Sequence, residues 1–197
     1  MGVTRGYQPE RLELTGSRYT VEQTGTDENM RPEYEATNEA GEVVFEATYE
    51  MYQANDSVSF VDADGSELFT VTAAGTLDIA GDYVLTDAHT EDDLLVLDND
   101  FSLSQDSWRI RDPEDRSLLA ELSSRGGAVT LARKLLPFGK WLGHEYEITD
   151  SAGEAVGSAE SGFAVFDEYE ITIADTSSVP MVGVVAALAV IDGIQNS

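Results

Sequence analysis

Chemistry, if this chain performs any, has one clear place to gather. From Leu122 to His144 there is no Asp or Glu, in a sequence with 38 acidic residues against 11 basic ones. That stretch carries Arg125, Arg133, Lys134 and Lys140, and its centre, ARKLLPFGKWLGH, interleaves bases with Leu135, Leu136, Phe138 and Trp141. Cations beside apolar anchors suit an anionic headgroup at a membrane surface. Arg125, Arg133, Lys134, Lys140 and Trp141 are therefore the candidate binding residues. A competing reading gives the apolar residues to a core and pairs the bases with the plentiful carboxylates.

Other chemistries find less. Clustered oxygens in DADGSE (Asp62 to Glu67) and DNDFSLSQD (Asp98 to Asp106) invite calcium, yet neither supplies the ligand ladder of an EF-hand loop. Only His89 and His144 are available as imidazole ligands, in separate segments without zinc-site spacing. The sequence FGKW around Lys140 lacks the earlier glycine and following Ser or Thr of a phosphate-binding loop, and no G-x-S-x-G elbow occurs. A glycosidase-type carboxylate pair depends on a separation that sequence does not give. We expect a non-enzymatic protein with no cofactor and no metal.

Composition narrows the setting. The formal net charge is −27, and the acids are spread along a chain that is 42% hydrophobic, too apolar for a disordered polyanion. Such self-repulsion strains a compact fold in dilute buffer, but at molar salt the Debye length falls to about 3 Å. The surface reads as that of a halophile's protein. A nucleic-acid partner is not expected, because phosphate contacts need a basic footprint. Cysteine is absent, so disulfides and thiolate chemistry are excluded. The start, MGVTRGYQPE, shows no leader and, with Gly6 where Ser or Thr is required, no myristoylation signal, so a cytoplasmic protein is expected.

Positioning these residues falls to strands. YEATNEAGEVVFEA from Tyr34, VSFVDADGSELFTV from Val58 and YEITDSAGEAVGSA from Tyr146 repeat one phrase, with Asn or Asp three residues before a Gly. These are hairpin turns: Asn and Asp satisfy local backbone while Gly takes the positive φ. WRIRDPEDRSLLAEL from Trp108 repeats the idea with Pro113 in place of the glycine. Further strands are expected at Tyr19–Gln23, Thr76–Ile79, Tyr83–Thr86, Leu94–Leu97, Ala128–Arg133 and Tyr169–Ala174. The total is roughly a dozen, as in a barrel or sandwich. Residues 1–17 are polar and irregular and are expected to form a loosely attached arm, leaving residues 18–197 as one domain.

The run VPMVGVVAALAVI from Val179 to Ile191 is apolar on every side. A helix with no polar face must be enclosed, here by a sheet wrapped around it. Ser177 or Ser178 is the expected cap, Pro180 suits the first turn and Gly193 the end. About 14 residues at 1.5 Å per residue fall short of a bilayer core of about 30 Å, so no transmembrane span is expected. A membrane tail anchor and an oligomerisation helix are the alternatives. Gly183, Ala186, Ala187 and Ala189 make a thin rod that fits a crowded interior.

The iterated tyrosine–turn–glycine hairpins, YEITIADTSS, and the closing helix ending in AVIDGI with Asp192 together resemble the tubby C-terminal-like superfamily. The likeness is to its LURP-one-related and phospholipid scramblase-like branch, over about Arg18 to Gln195. The resemblance implies an all-β fold with one helix: a closed antiparallel barrel of about a dozen strands around a central hydrophobic C-terminal helix. Tubby proteins bind phosphoinositides through basic residues on the barrel, but no such position is carried over. Scramblases carry an acidic calcium segment before the terminal helix, where this chain offers mainly Asp175. The function expected is a binding module for an anionic lipid headgroup or a protein partner, cytoplasmic or peripheral at the membrane. A structural or interaction protein without a small ligand, and a membrane-associated scramblase-like protein, are the alternatives.

Overall fold

The computed structural model describes residues 6–50, 57–74, 82–101, 106–124, 145–162 and 168–195. The strands are β1 (Arg18–Thr26), β2 (Pro32–Asn38), β3 (Val43–Glu50), β4 (Ser57–Val61), β5 (Glu67–Ala74) and β6 (Asp82–Asp87). They continue with β7 (Asp93–Phe101), β8 (Asp106–Arg111), β9 (Leu118–Ser124), β10 (Glu145–Asp150), β11 (Ala155–Ser161) and β12 (Glu168–Ile173). Each pairs antiparallel with its neighbour in sequence, and β1 pairs with β12, so the sheet closes into a barrel. Closure leaves no strand edge open to another chain. The expected strands at Thr76–Ile79 and Ala128–Arg133 lie outside the described residues.

Alternation decides what fills the lumen. Tyr19 and Val21, Tyr34 and Ala36, Phe45, Ala47 and Tyr49, Trp108 and Ile110, and Tyr169, Ile171 and Ile173 are all buried, while the residues between them face outward. Period 2 thus turns one half of each strand's side chains into core.

The hairpins share one turn device. Oδ1 of Asn38 accepts the amides of Ala40 and Glu42 at 3.0 Å each, Oδ1 of Asp62 those of Asp64 and Ser66 at 2.9 Å, and Oδ1 of Asp150 those of Ala152 and Glu154 at 2.9 and 3.0 Å. Gly41, Gly65 and Gly153 take φ of 76°, 78° and 81°. Asp27 does the same with the amides of Asn29 and Arg31, but Met30 supplies the positive φ of 65°. Asp87 and Asp112 build a version one residue longer, with Glu91 and Arg116 at φ 61° and 62°. Pro113 therefore does not replace the glycine as expected. Arg116 does, because proline's ring fixes φ negative.

The barrel encloses helix α1 (Met181–Gln195). From Met181 through Ile191 every apolar side chain is 0% exposed. Each Val, Leu or Ile removed from water in this way contributes about 1.5–3 kcal/mol, so the helix is part of the core. Glycines set how closely it fits. A Cβ on Gly183 would sit 2.7 Å from Cδ1 of Leu95 and 3.1 Å from Cγ2 of Ile110, and one on Gly193 would sit 2.5 Å from the Tyr49 ring. Gly193 thus lies within the helix and serves close approach instead of ending it. The serine cap is also not used: the Ser177 hydroxyl donates to Oδ1 of Asp175 and the Ser178 hydroxyl to its carbonyl, at 2.7 and 2.8 Å. Pro180 stands at the boundary, its carbonyl accepting the Val184 amide at 3.1 Å.

The leading segment is tied down, contrary to the loose arm expected. Leu14 is 1% exposed, and Tyr7 and Leu12 pack against the core. The Glu10 amide donates to Oδ2 of Asp87 and the Tyr7 hydroxyl to Oδ2 of Asp112, each at 2.6 Å. These anchors sit in the β6–β7 and β8–β9 turns, half the circumference from β1, where the segment joins the barrel. Residues 6–17 therefore cross the end of the barrel at which α1 begins.

Candidate functional site

Antiparallel order gives the barrel two unlike ends. At the end where α1 enters lie the turns 39–42, 62–66, 88–92, 112–117 and 151–154, together with the crossing segment. At the other, the exit end, α1 finishes, and there the chain passes from β1 to β2, β3 to β4, β5 to β6, β7 to β8, β9 to β10 and β11 to β12.

Polar aromatics are concentrated toward one end of the interior, Tyr19 being the exception, its hydroxyl accepting the Gly16 amide at 2.7 Å at the entry end. Toward the entry end, Phe45, Phe60 and Phe69 form a purely apolar knot, with Phe60 and Phe69 stacked at 4.3 Å and Phe45 edge-on to both at 5.1 and 6.0 Å. Toward the exit end the aromatics carry polar handles. Tyr34, Tyr83, Trp108, Tyr146 and Tyr169 occupy the second or third position of β2, β6, β8, β10 and β12, and Tyr49 is the last residue but one of β3, on the same level. Such side chains bury a ring while presenting a hydroxyl or N–H, which suits a boundary between dry core and a polar end. The belt was readable as the recurring phrases YEAT, YEIT and YEIT at Tyr34, Tyr146 and Tyr169, but their shared level appears only once the strand directions are known.

Within the belt sits the lumen's one carboxylate on α1, Asp192, 2% exposed. The Tyr34 hydroxyl donates to its Oδ2 at 2.8 Å and the Tyr169 hydroxyl reaches Oδ1 at 3.4 Å. Burying a charge without partners costs several kcal/mol, and the two phenols offset part of that while clamping the helix to the strands on either side of β1.

The sequence-derived binding residues Arg125, Arg133, Lys134, Lys140 and Trp141 lie outside the described residues. The flanking anchors are placed: β9 ends at Ser124 and β10 begins at Glu145, both at the exit end. Five described arginines pair with carboxylates. Arg18 pairs with Glu39 and Glu170 at 3.9 and 3.5 Å, Arg31 with Asp27 at 2.7 Å, Arg109 with Glu121 at 3.2 Å, Arg111 with Asp98 at 2.8 Å, and Arg116 with Asp82.

The acidic segments singled out for calcium are engaged in the fold where they are described. Asp62 holds its turn, Glu67 accepts the Ser59 hydroxyl at 2.7 Å, and Asp98 accepts from Arg111. Among the described residues no group of three or more His, Cys, Asp or Glu side chains gathers as a metal site requires. No described helix is long and apolar enough to cross a membrane.

The model for the LURP-one-related family matches residues 18–192, nearly the whole barrel and its helix. The chain belongs to the LURP-one-related family. That family is part of the tubby-like fold superfamily, and the closed barrel of this LURP-one-related protein has the corresponding architecture. No curated protein and no solved structure significantly matches the chain.

Proposed function

We propose that this LURP-one-related protein is a non-enzymatic, salt-adapted binding module whose exit-end connection between β9 and β10 engages an anionic lipid headgroup, holding the protein peripherally at a membrane. The observation that carries the reading is a coincidence of charge and topology: the longest acid-free stretch has four cations, and all four fall within a single connection anchored at Ser124 and Glu145. A positive loop in a polyanion directs an anionic ligand to one end of the barrel. Co-sedimentation with phosphatidylserine-containing vesicles at molar KCl tests it, comparing the native chain with Arg133→Glu/Lys134→Glu/Lys140→Glu. Pelleting of the native chain alone supports the reading, and equal behaviour of both removes it.

A second reading, an interaction protein with no small ligand, is favoured by the pairing of Arg18, Arg31, Arg109, Arg111 and Arg116 with carboxylates, which shows how this chain commonly uses its bases. A partner pull-down at native salt addresses it. Scrambling by an inserted form requires α1 to leave a lumen where it is fully buried, which counts against that alternative.

A further inference from the structure

Among the described residues, two buried polar atoms in the exit-end belt have no hydrogen-bond partner: Oδ1 of Asn99 and Nε1 of Trp108. Trp108 is 2% exposed and Asn99 9%. They are directly opposed on neighbouring strands, Asn99 of β7 against Trp108 of β8, and both sit on the inward face. Alternation fixes that orientation, since Leu95 and Leu97 precede Asn99 at every second position and Ile110 follows Trp108 in the same way. The Tyr83 ring lies beside the indole, its centroid 6.0 Å away and its plane tilted by 41°.

A buried amide carbonyl or indole N–H left without a partner forfeits its hydration with nothing in return, and native folds rarely carry two side by side. Leu at position 99 would fill the same inward place, as it does at 95 and 97, without that cost. The two atoms are also complementary: Asn99 offers an acceptor and Trp108 a donor. A hydroxyl is both at once.

We propose that the exit end of the lumen holds a small neutral hydroxyl guest, water or a glycerol-sized polyol, which donates to Oδ1 of Asn99 and accepts from Nε1–H of Trp108. An anion is disfavoured because it has no proton for Oδ1, and a cation because it has nothing to offer the indole N–H. The site stands independently of the basic connection and of lipid binding.

The indole N–H resonance of Trp108 reads the site directly. The chain has two tryptophans, so Trp141→Phe assigns the signal. In the full-length protein at molar salt, a nuclear Overhauser effect from this N–H to the water frequency identifies water as the guest. A saturable shift on adding glycerol identifies a polyol. Asn99→Leu abolishes whichever signal is present. Absence of both signals in the native chain overturns the proposal, and so does either signal persisting unchanged in Asn99→Leu.

Discussion

Tyr34 on β2 donates its hydroxyl to Oδ2 of Asp192 across 2.8 Å, joining positions 158 residues apart. This bond, with Tyr169 on the other carboxylate oxygen, fixes the last turn of the helix to the wall on both sides of β1. Tyr34→Phe removes a donor from a buried carboxylate and should cost about 1.5–3 kcal/mol in denaturant unfolding at molar salt. A Tyr34→Phe/Asp192→Asn double-mutant cycle should show coupling of at least about 0.5 kcal/mol. Strict additivity would mean that the contact contributes nothing specific.

The two close-packed glycines predict an order of damage. Gly193→Ala drives a methyl into the face of Tyr49, a rigid ring, whereas Gly183→Ala meets the terminal methyl of Leu95, which can rotate. Alanine improves helix propensity by about 1 kcal/mol, but overpacking costs about 1–3 kcal/mol. Gly193→Ala should therefore destabilise more than Gly183→Ala, and Tyr49→Leu should partly rescue it. Equal unfolding midpoints for both variants would refute this packing.

The segment across the entry end should respond to acid. Burial pushes the Asp87 carboxyl up, but amides of Thr90, Glu10 and His89 together hold it below its ordinary value. Asp112 is also lowered, chiefly by the Tyr7 hydroxyl, and Tyr7 in turn is raised to about 12. A lowered carboxyl contributes stability that is complete above its unfolded value of about 3.9 and fades as pH falls through the folded one. A raised phenol contributes below about 10 and fades as pH rises through about 12. Relative to the intrinsic rate at each pH, hydrogen exchange at residues 10–16 should be slowest between those limits and speed up below about pH 4. Asp87→Asn should speed it at neutral pH.

Outward-facing carboxylates oppose one another across four strands: Glu46 of β3 faces Glu35 of β2, which faces Glu22 of β1, which faces Glu168 of β12. Like charges directly opposite destabilise a sheet. Raising salt from about 0.1 M to about 1 M shortens the Debye length from about 10 Å to about 3 Å and should raise the melting temperature. Glu35→Gln should flatten that dependence by breaking the row in its middle. A melting temperature indifferent to salt in both proteins would contradict the reading.

Much of this architecture is legible in the residues, for a physical reason: period-2 burial and Asn/Asp–x–x–Gly turns are local, and an all-apolar helix admits few environments. The turns at Asp27 and Asp87 are not legible, because Met30 and Glu91 carry the positive φ without a glycine to mark them. Nor is the crossing segment, whose Tyr7 and Glu10 find partners 105 and 77 positions away. The belt and the Asn99–Trp108 pair depend on register between strands, which composition does not encode. Of the candidate site, the sequence supplies the basic residues and the fold supplies the end from which they depart.

The most direct test of the whole account is hydrogen exchange at the amides of Val184 to Ile191, with and without anionic vesicles. A helix that is the barrel's core, in a protein that meets membranes only through its surface, exchanges there solely by global unfolding in both conditions. Exchange at these amides that outpaces the barrel strands, or accelerates when vesicles are added, would show the helix leaving the lumen and contradict the account.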